Sequence, residues 1–103
     1  MPHYIIALRP SREDFTPETI TQAEGEKVSA HWDYIKAAFA AGTVTYVGRT
    51  TEWPYIGLCV FEADCREAAE QFMAGDPTVS SGVFHGTLQT FVPLLMSPNG
   101  IAK

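Results

Sequence analysis

Basic residues, cysteines and long apolar runs are all in short supply in this chain. Seven Lys and Arg stand against twelve Asp and Glu, for a net charge of −5. The bases Arg9, Arg12, Lys27, Lys36, Arg49, Arg66 and Lys103 are scattered. A surface that tracks phosphates needs them clustered, so nucleic acid is not an expected partner. No apolar stretch approaches the roughly 20 residues of a membrane-spanning helix, and the opening residues lack a signal-peptide core. The expectation is therefore no membrane and a cytoplasmic location. There are only two cysteines, Cys59 and Cys65, without CxxC or metal-ligand spacing. They read as two free thiols. The three histidines, His3, His31 and His85, show neither His-x-His nor HExxH spacing, so neither a metal site nor a cofactor is expected. Gly42, Gly48 and Gly57 do not form a phosphate-cradling motif.

What the chain does have is the composition of a folded domain, 46% hydrophobic and 18% charged, which argues against disorder. Its 103 residues are read as one domain, 1–103. Tyr4-Ile5-Ile6-Ala7-Leu8 is a continuous apolar run closed by Arg9-Pro10, a buried strand. A polar loop with Pro10 and Pro17 follows, and Thr16 before Pro17 suits a helix start. Residues 18–41 carry a helical pattern, perturbed near Gly25, with Val28, Trp32, Ile35 and Phe39 as its apolar stripe. Gly42 ends it. Thr43-Val44-Thr45-Tyr46-Val47 and residues 55–61 read as two more strands. Asp64 and Glu67 suggest a capping box for a second helix, ended by Gly75-Asp76-Pro77. Residues 82–92 form a fourth strand, and the tail with Pro93, Pro98 and Gly100 looks loose at its end.

The order βαββαβ predicts an α+β, ferredoxin-like fold: a four-stranded antiparallel sheet with two helices on one face. Ile56, Leu58 and Val60 alternate with Tyr55, Cys59 and Phe61, so both faces of the third strand are apolar. Two helices cover one face only. The other is expected to meet a second copy, giving a homodimer through the sheet.

Two residues stand out for chemistry. His31 flanks the apolar stripe of the first helix, and by itself reads as a half-buried helix histidine. Asp76 by itself reads as a turn residue. Together they could form a unit: a carboxylate on one ring nitrogen leaves the other free to take or give a proton. Asp33 lies on a different helix face and cannot serve. Ser80 and Ser81 could add a hydroxyl, but there is no G-x-S-x-G elbow, and a serine pair in a loop reads as turn chemistry. His85 and His3 are alternative bases or plain strand residues.

His31 in the first helix, Ala41-Gly42-Thr43 before a strand closing on Gly48, and Asp76-Pro77 leading to Gly82-Val83-Phe84 resemble the YciI-like (YCII-related) family of the dimeric α+β barrel superfamily. The resemblance implies a dimeric α+β barrel and a His–Asp active site at His31 and Asp76. It also implies a small-molecule substrate, aromatic or lactone-like; one relative is a dehydrochlorinase acting on a chlorinated hydroxyquinol. Many relatives have Gly-Pro after the second strand, whereas here Arg49 follows Gly48. Arg49, Ser80, Ser81 and His85 are the candidate substrate-binding residues, with Arg49 placed to receive a carboxylate or phenolate. Three readings remain open: an enzyme of the elimination or isomerisation type, a ligand-binding module with the same pocket, and a structural dimerisation domain.

Overall fold

Period-two burial in the first strand sets the architecture. Tyr4, Ile6 and Leu8 are buried while their neighbours are not, so one face of this strand meets the core. The computed structural model describes residues 1–97. Its elements run β1 (His3–Pro10), α1 (Gln22–Ala40), β2 (Val44–Arg49), β3 (Gly57–Glu62), α2 (Arg66–Ala74), α3 (Pro77–Ser80) and β4 (Phe84–Phe91). The sheet order is β2-β3-β1-β4, all antiparallel. This is the ferredoxin-like α+β fold expected from the element order. Pro98 and Gly100, read above as part of the loose tail, lie outside the described residues.

Register fixes which side chains share a face. Tyr4 pairs with Phe61, Ile6 with Cys59 and Leu88, and Leu8 with Gly57 and Gly86. Tyr4, Ile6 and Leu8 of β1, Cys59 and Phe61 of β3 and Val44 of β2 form one core cluster with Ile35 of α1 and Ala69 of α2. Both long helices therefore cover the same face. Phe61 is fully buried at the centre, its ring 4.6 Å from that of Phe72 and 6.0 Å from that of Tyr4. Met73 of α2 comes so close to β4 that a Cβ at Gly86 would sit 3.0 Å from its sulfur. The opposite face carries Leu58 and Tyr46, both well exposed, and Val60, which is covered.

Local chemistry moves several boundaries. Helix α1 starts at Gln22, not near Thr16, because Thr21 and Glu24 form a reciprocal capping box. Thr16 instead closes a turn with Thr19. Ala41 caps the other end, and Gly42 follows at φ 87°. Gly42 N–H bonds Phe39 O and Thr43 N–H bonds Ala38 O, a Schellman arrangement that needs the left-handed residue. The apolar stripe of α1 is also displaced. Ile35 is buried with Tyr34 and Ala38 packed beside it, whereas Trp32 and Phe39 are 43% and 61% exposed. Steps of four overshoot a 3.6-residue turn, so residues 32 and 39 roll off the buried side. For α2, Cys65 is the N-cap and makes no side-chain cap bond, so the expected Asp64–Glu67 box does not form.

Residues 11–20 fold back over one end of the sheet. Arg12 pins them, donating from Nε and Nη2 to the two oxygens of Glu24 at 2.8 and 2.7 Å and from Nη2 to Thr19 O. That pairing holds the Glu24 carboxyl down at about 2. One glutamate thus caps α1 and anchors the preceding loop. Phe15 of this loop meets Phe84 of β4 edge to face, 5.7 Å between ring centres.

Candidate active site

Asp76 follows the end of α2 at Gly75 and immediately precedes a proline. Proline at the first helical position with an aspartate before it is a helix-start signature. The result is α3, a single turn between α2 and β4. Asp76 is its N-cap, and Oδ1 accepts from Thr78 N–H at 2.9 Å and from Thr78 Oγ1 at 2.6 Å. Oδ2 lies 2.5 Å from Nδ1 of His31. Helix α3 rests on the middle of α1, which is how residues 45 positions apart come together.

Asp76 is 4% exposed and Thr78 fully buried. Burial works to raise the Asp76 pKa, but the hydrogen bonds from His31 and Thr78 outweigh it and leave the carboxyl below its ordinary range. The Asp76 charge also adds to burial in raising the Tyr34 hydroxyl. Tyr34 donates to Phe72 O at 2.8 Å and stacks on the Phe72 ring, tying α1 to α2 next to the pair. A Cβ at Gly75 would come within 2.6 Å of the Tyr34 hydroxyl. A side chain at residue 75 would therefore push the Tyr34 hydroxyl off its bond to Phe72 O, although the backbone there, at φ −79°, is ordinary helical.

His31 also lines a pocket of about 350 Å³ between α1, the sheet and the two loops at its rim. The wall is mostly apolar, including Leu8, Phe15, Ile35, Tyr55 and Phe84, with Trp32 at the helix side. The Phe84 ring stands edge-on to the imidazole, 6.4 Å between centres. With Nδ1 on Asp76, the nitrogen left for a ligand is Nε2. Arg49, the last residue of β2, also lines this pocket. Among the described residues no ion pair engages it. A free guanidinium beside an apolar, aromatic wall can take an oxyanion.

The other candidates fall elsewhere. Ser80 and Ser81 are exposed at the end of α3, and their hydroxyls bond back to Pro77 O and Thr78 O. Neither lines the pocket. His85 neighbours Phe84 on β4 and pairs with Arg9. Since Phe84 faces the pocket, alternation sends His85 to the other side of the sheet. His3 is on that opposite side too, paired with Glu62 and Phe91. Thr78 and the aromatic wall were not singled out from sequence. The Asp-Pro step was the available signal for Thr78, because an N-cap aspartate faces the amide two residues on.

Among the described residues no group of three or more His, Cys, Asp or Glu is gathered as for a metal ion. Both cysteines are free thiols. Cys59 is buried in the sheet beneath the pocket, and burial, followed by the nearby Asp76 charge, raises it from its ordinary 9.0 to about 12. Its thiolate is thereby roughly a thousandfold scarcer. A disulfide reagent at pH 8 should modify the exposed Cys65 rapidly and Cys59 only on unfolding. Stopped labelling with mass spectrometry reads this, and equal native rates at the two sites would contradict the placement of Cys59.

No helix among the described residues is long and apolar enough to cross a membrane. Comparison with curated proteins gives no significant match. Among solved structures, the fold is similar to 5-chloro-2-hydroxyhydroquinone dehydrochlorinase from Burkholderia phenoliruptrix AC1100, determined in complex with 2,5-dihydroxybenzoquinone. The TM-score is 0.63 at 15% sequence identity, over 95% of this chain and 99% of that one. At that identity the likeness speaks for the fold. The family model of the YCII-related domain matches residues 4–87, so the chain belongs to the YCII-related domain family.

Proposed function

We propose that this protein is a small-molecule enzyme that moves a proton with His31, on an aromatic or lactone-like substrate carrying an oxyanion. The observation that carries the reading is the bond between His31 Nδ1 and a buried carboxylate, made by a histidine that also lines an apolar pocket. Asp76 orients the imidazole and balances the charge it gains. Nε2 takes a proton from the substrate. In an elimination the electron pair so released expels a leaving group such as chloride. In an isomerisation it shifts along the substrate, and His31 returns the proton at another atom. Arg49 binds the oxyanion that the substrate already carries. The dehydrochlorinase with a similar fold supports a substrate of this kind.

The test is turnover and binding with a panel of chlorinated hydroxyquinols, substituted hydroquinones and unsaturated lactones. Wild type is expected to process at least one member, with Arg49→Met raising KM more than it lowers kcat. Saturable binding that survives His31→Ala, with no turnover of any member by wild type, would favour a binding module instead.

The same reading has the domain, residues 1–103, working as a homodimer through the sheet face away from the helices. Leu58 and Tyr46 are 40% and 46% exposed there, and Val92, Leu94, Leu95 and Met96 beyond β4 are exposed as well. Such apolar surface favours association. Light scattering at high micromolar concentration should give twice the monomer mass, and a monomer would overturn the expectation. Two free thiols suit the reducing cytoplasm as its place of work.

A further inference from the structure

We propose that Thr78 is a positioning residue for the His31–Asp76 pair. Its hydroxyl holds Oδ1 of Asp76 so that Oδ2 stays on Nδ1 of His31 and Nε2 is kept as the free base. This assignment rests on the functional reading above and adds a residue to it.

A carboxylate turns easily about its last torsion, and its two oxygens are chemically equivalent. One bond to an imidazole does not fix its plane. Here Oδ1 takes two donors from one residue, the amide at 2.9 Å and the hydroxyl at 2.6 Å. That leaves Oδ2 as the oxygen for His31. Capping α3 requires only the amide. The hydroxyl is a second donor that the helix turn does not need.

Thr78 is itself held. It is fully buried, so no water competes for its hydroxyl. Its β-branch restricts the side-chain torsion, and Pro77 before it fixes the backbone entering α3. Valine reproduces this shape without the donor, and serine keeps the donor without the branch.

The experiment is nitrogen-15 and proton NMR of the full chain, with the His31 ring resonances assigned through His31→Asn. In wild type the Nδ1 proton should appear far downfield and persist against solvent exchange, and the ring nitrogens should report protonation on Nδ1. Thr78→Val should lose that proton signal to exchange and shift the ring nitrogens toward a mixture of tautomers. Thr78→Ser should restore both. If Thr78→Val does not fold, Thr78→Ala against Thr78→Ser makes the same comparison. A wild-type spectrum from a folded Thr78→Val or Thr78→Ala would overturn the assignment, and so would failure of Thr78→Ser to restore the signal. The readout does not depend on turnover. A protein that shows these contrasts but processes no substrate would count against the proposed function and in favour of the role of Thr78.

Discussion

Asp76→Ala should destabilise this protein by about 2–4 kcal/mol, the sum expected for a lost N-cap and for buried donors left without an acceptor. The carboxylate receives both donors of Thr78 and faces Nδ1 of His31, and the Thr78 hydroxyl is sealed from water. Removing it leaves the Thr78 donors unpaired where solvent cannot replace the acceptor. Urea denaturation followed by tryptophan fluorescence measures the loss. Acid provides an independent check. The Asp76 pKa is lower folded than its ordinary 3.8. Its contribution is therefore fully present above the unfolded value and fades as pH falls through the lower folded one. Wild type should lose stability over that acid range, and the difference between wild type and Asp76→Ala should shrink with it. A gap that stays constant from neutral pH down to pH 2 would show that the buried carboxylate is not what Asp76 contributes.

Phe61→Ala should cost more, about 3–5 kcal/mol, the usual price of emptying a core position filled by an aromatic ring. Phe61 is fully buried, and its ring meets both Tyr4 across the strand pair and Phe72 on α2. Domains of this size have about 5–15 kcal/mol in total, so the variant should melt many degrees lower or fail to accumulate folded. Leu58, on the same strand but on the exposed face, provides the contrast. As a monomer, Leu58→Ala should cost far less than Phe61→Ala. Thermal melts of the two variants side by side test the assignment of faces, and equal losses would contradict it.

These two positions also show how far the sequence was readable. Phe61 was legible as a strand residue because strand burial follows a period of two, and its face came with the alternation. Trp32 and Phe39 were misread for the complementary reason. On a helix a spacing of four marks the buried stripe only approximately, and the smaller Ala38 took the place that Phe39 was expected to fill. The meeting of His31 and Asp76 depended on a resemblance, since nothing local in either segment encodes a contact across 45 positions. Helix α3 was legible in principle, through an aspartate followed by a proline, but one turn is too short for any apolar periodicity to reveal it. The pocket wall was not legible. Phe15, Tyr55 and Phe84 come from a loop, a strand approach and an edge strand, and only the folded register brings them to His31.

Proton transfer by His31 is the centre of the account, and solvent-deuterium exchange tests it most directly. Hydroquinones and lactones with an exchangeable carbon-bound hydrogen would be incubated in deuterated buffer with wild type or with His31→Asn. The variant keeps most of the ring's volume and cannot act as a base. Deuterium incorporation is followed by mass spectrometry. The account predicts that wild type accelerates exchange for at least one compound, and that His31→Asn lowers that rate by about a hundredfold or more, the usual share of a general base. Equal rates for the two folded proteins would contradict it.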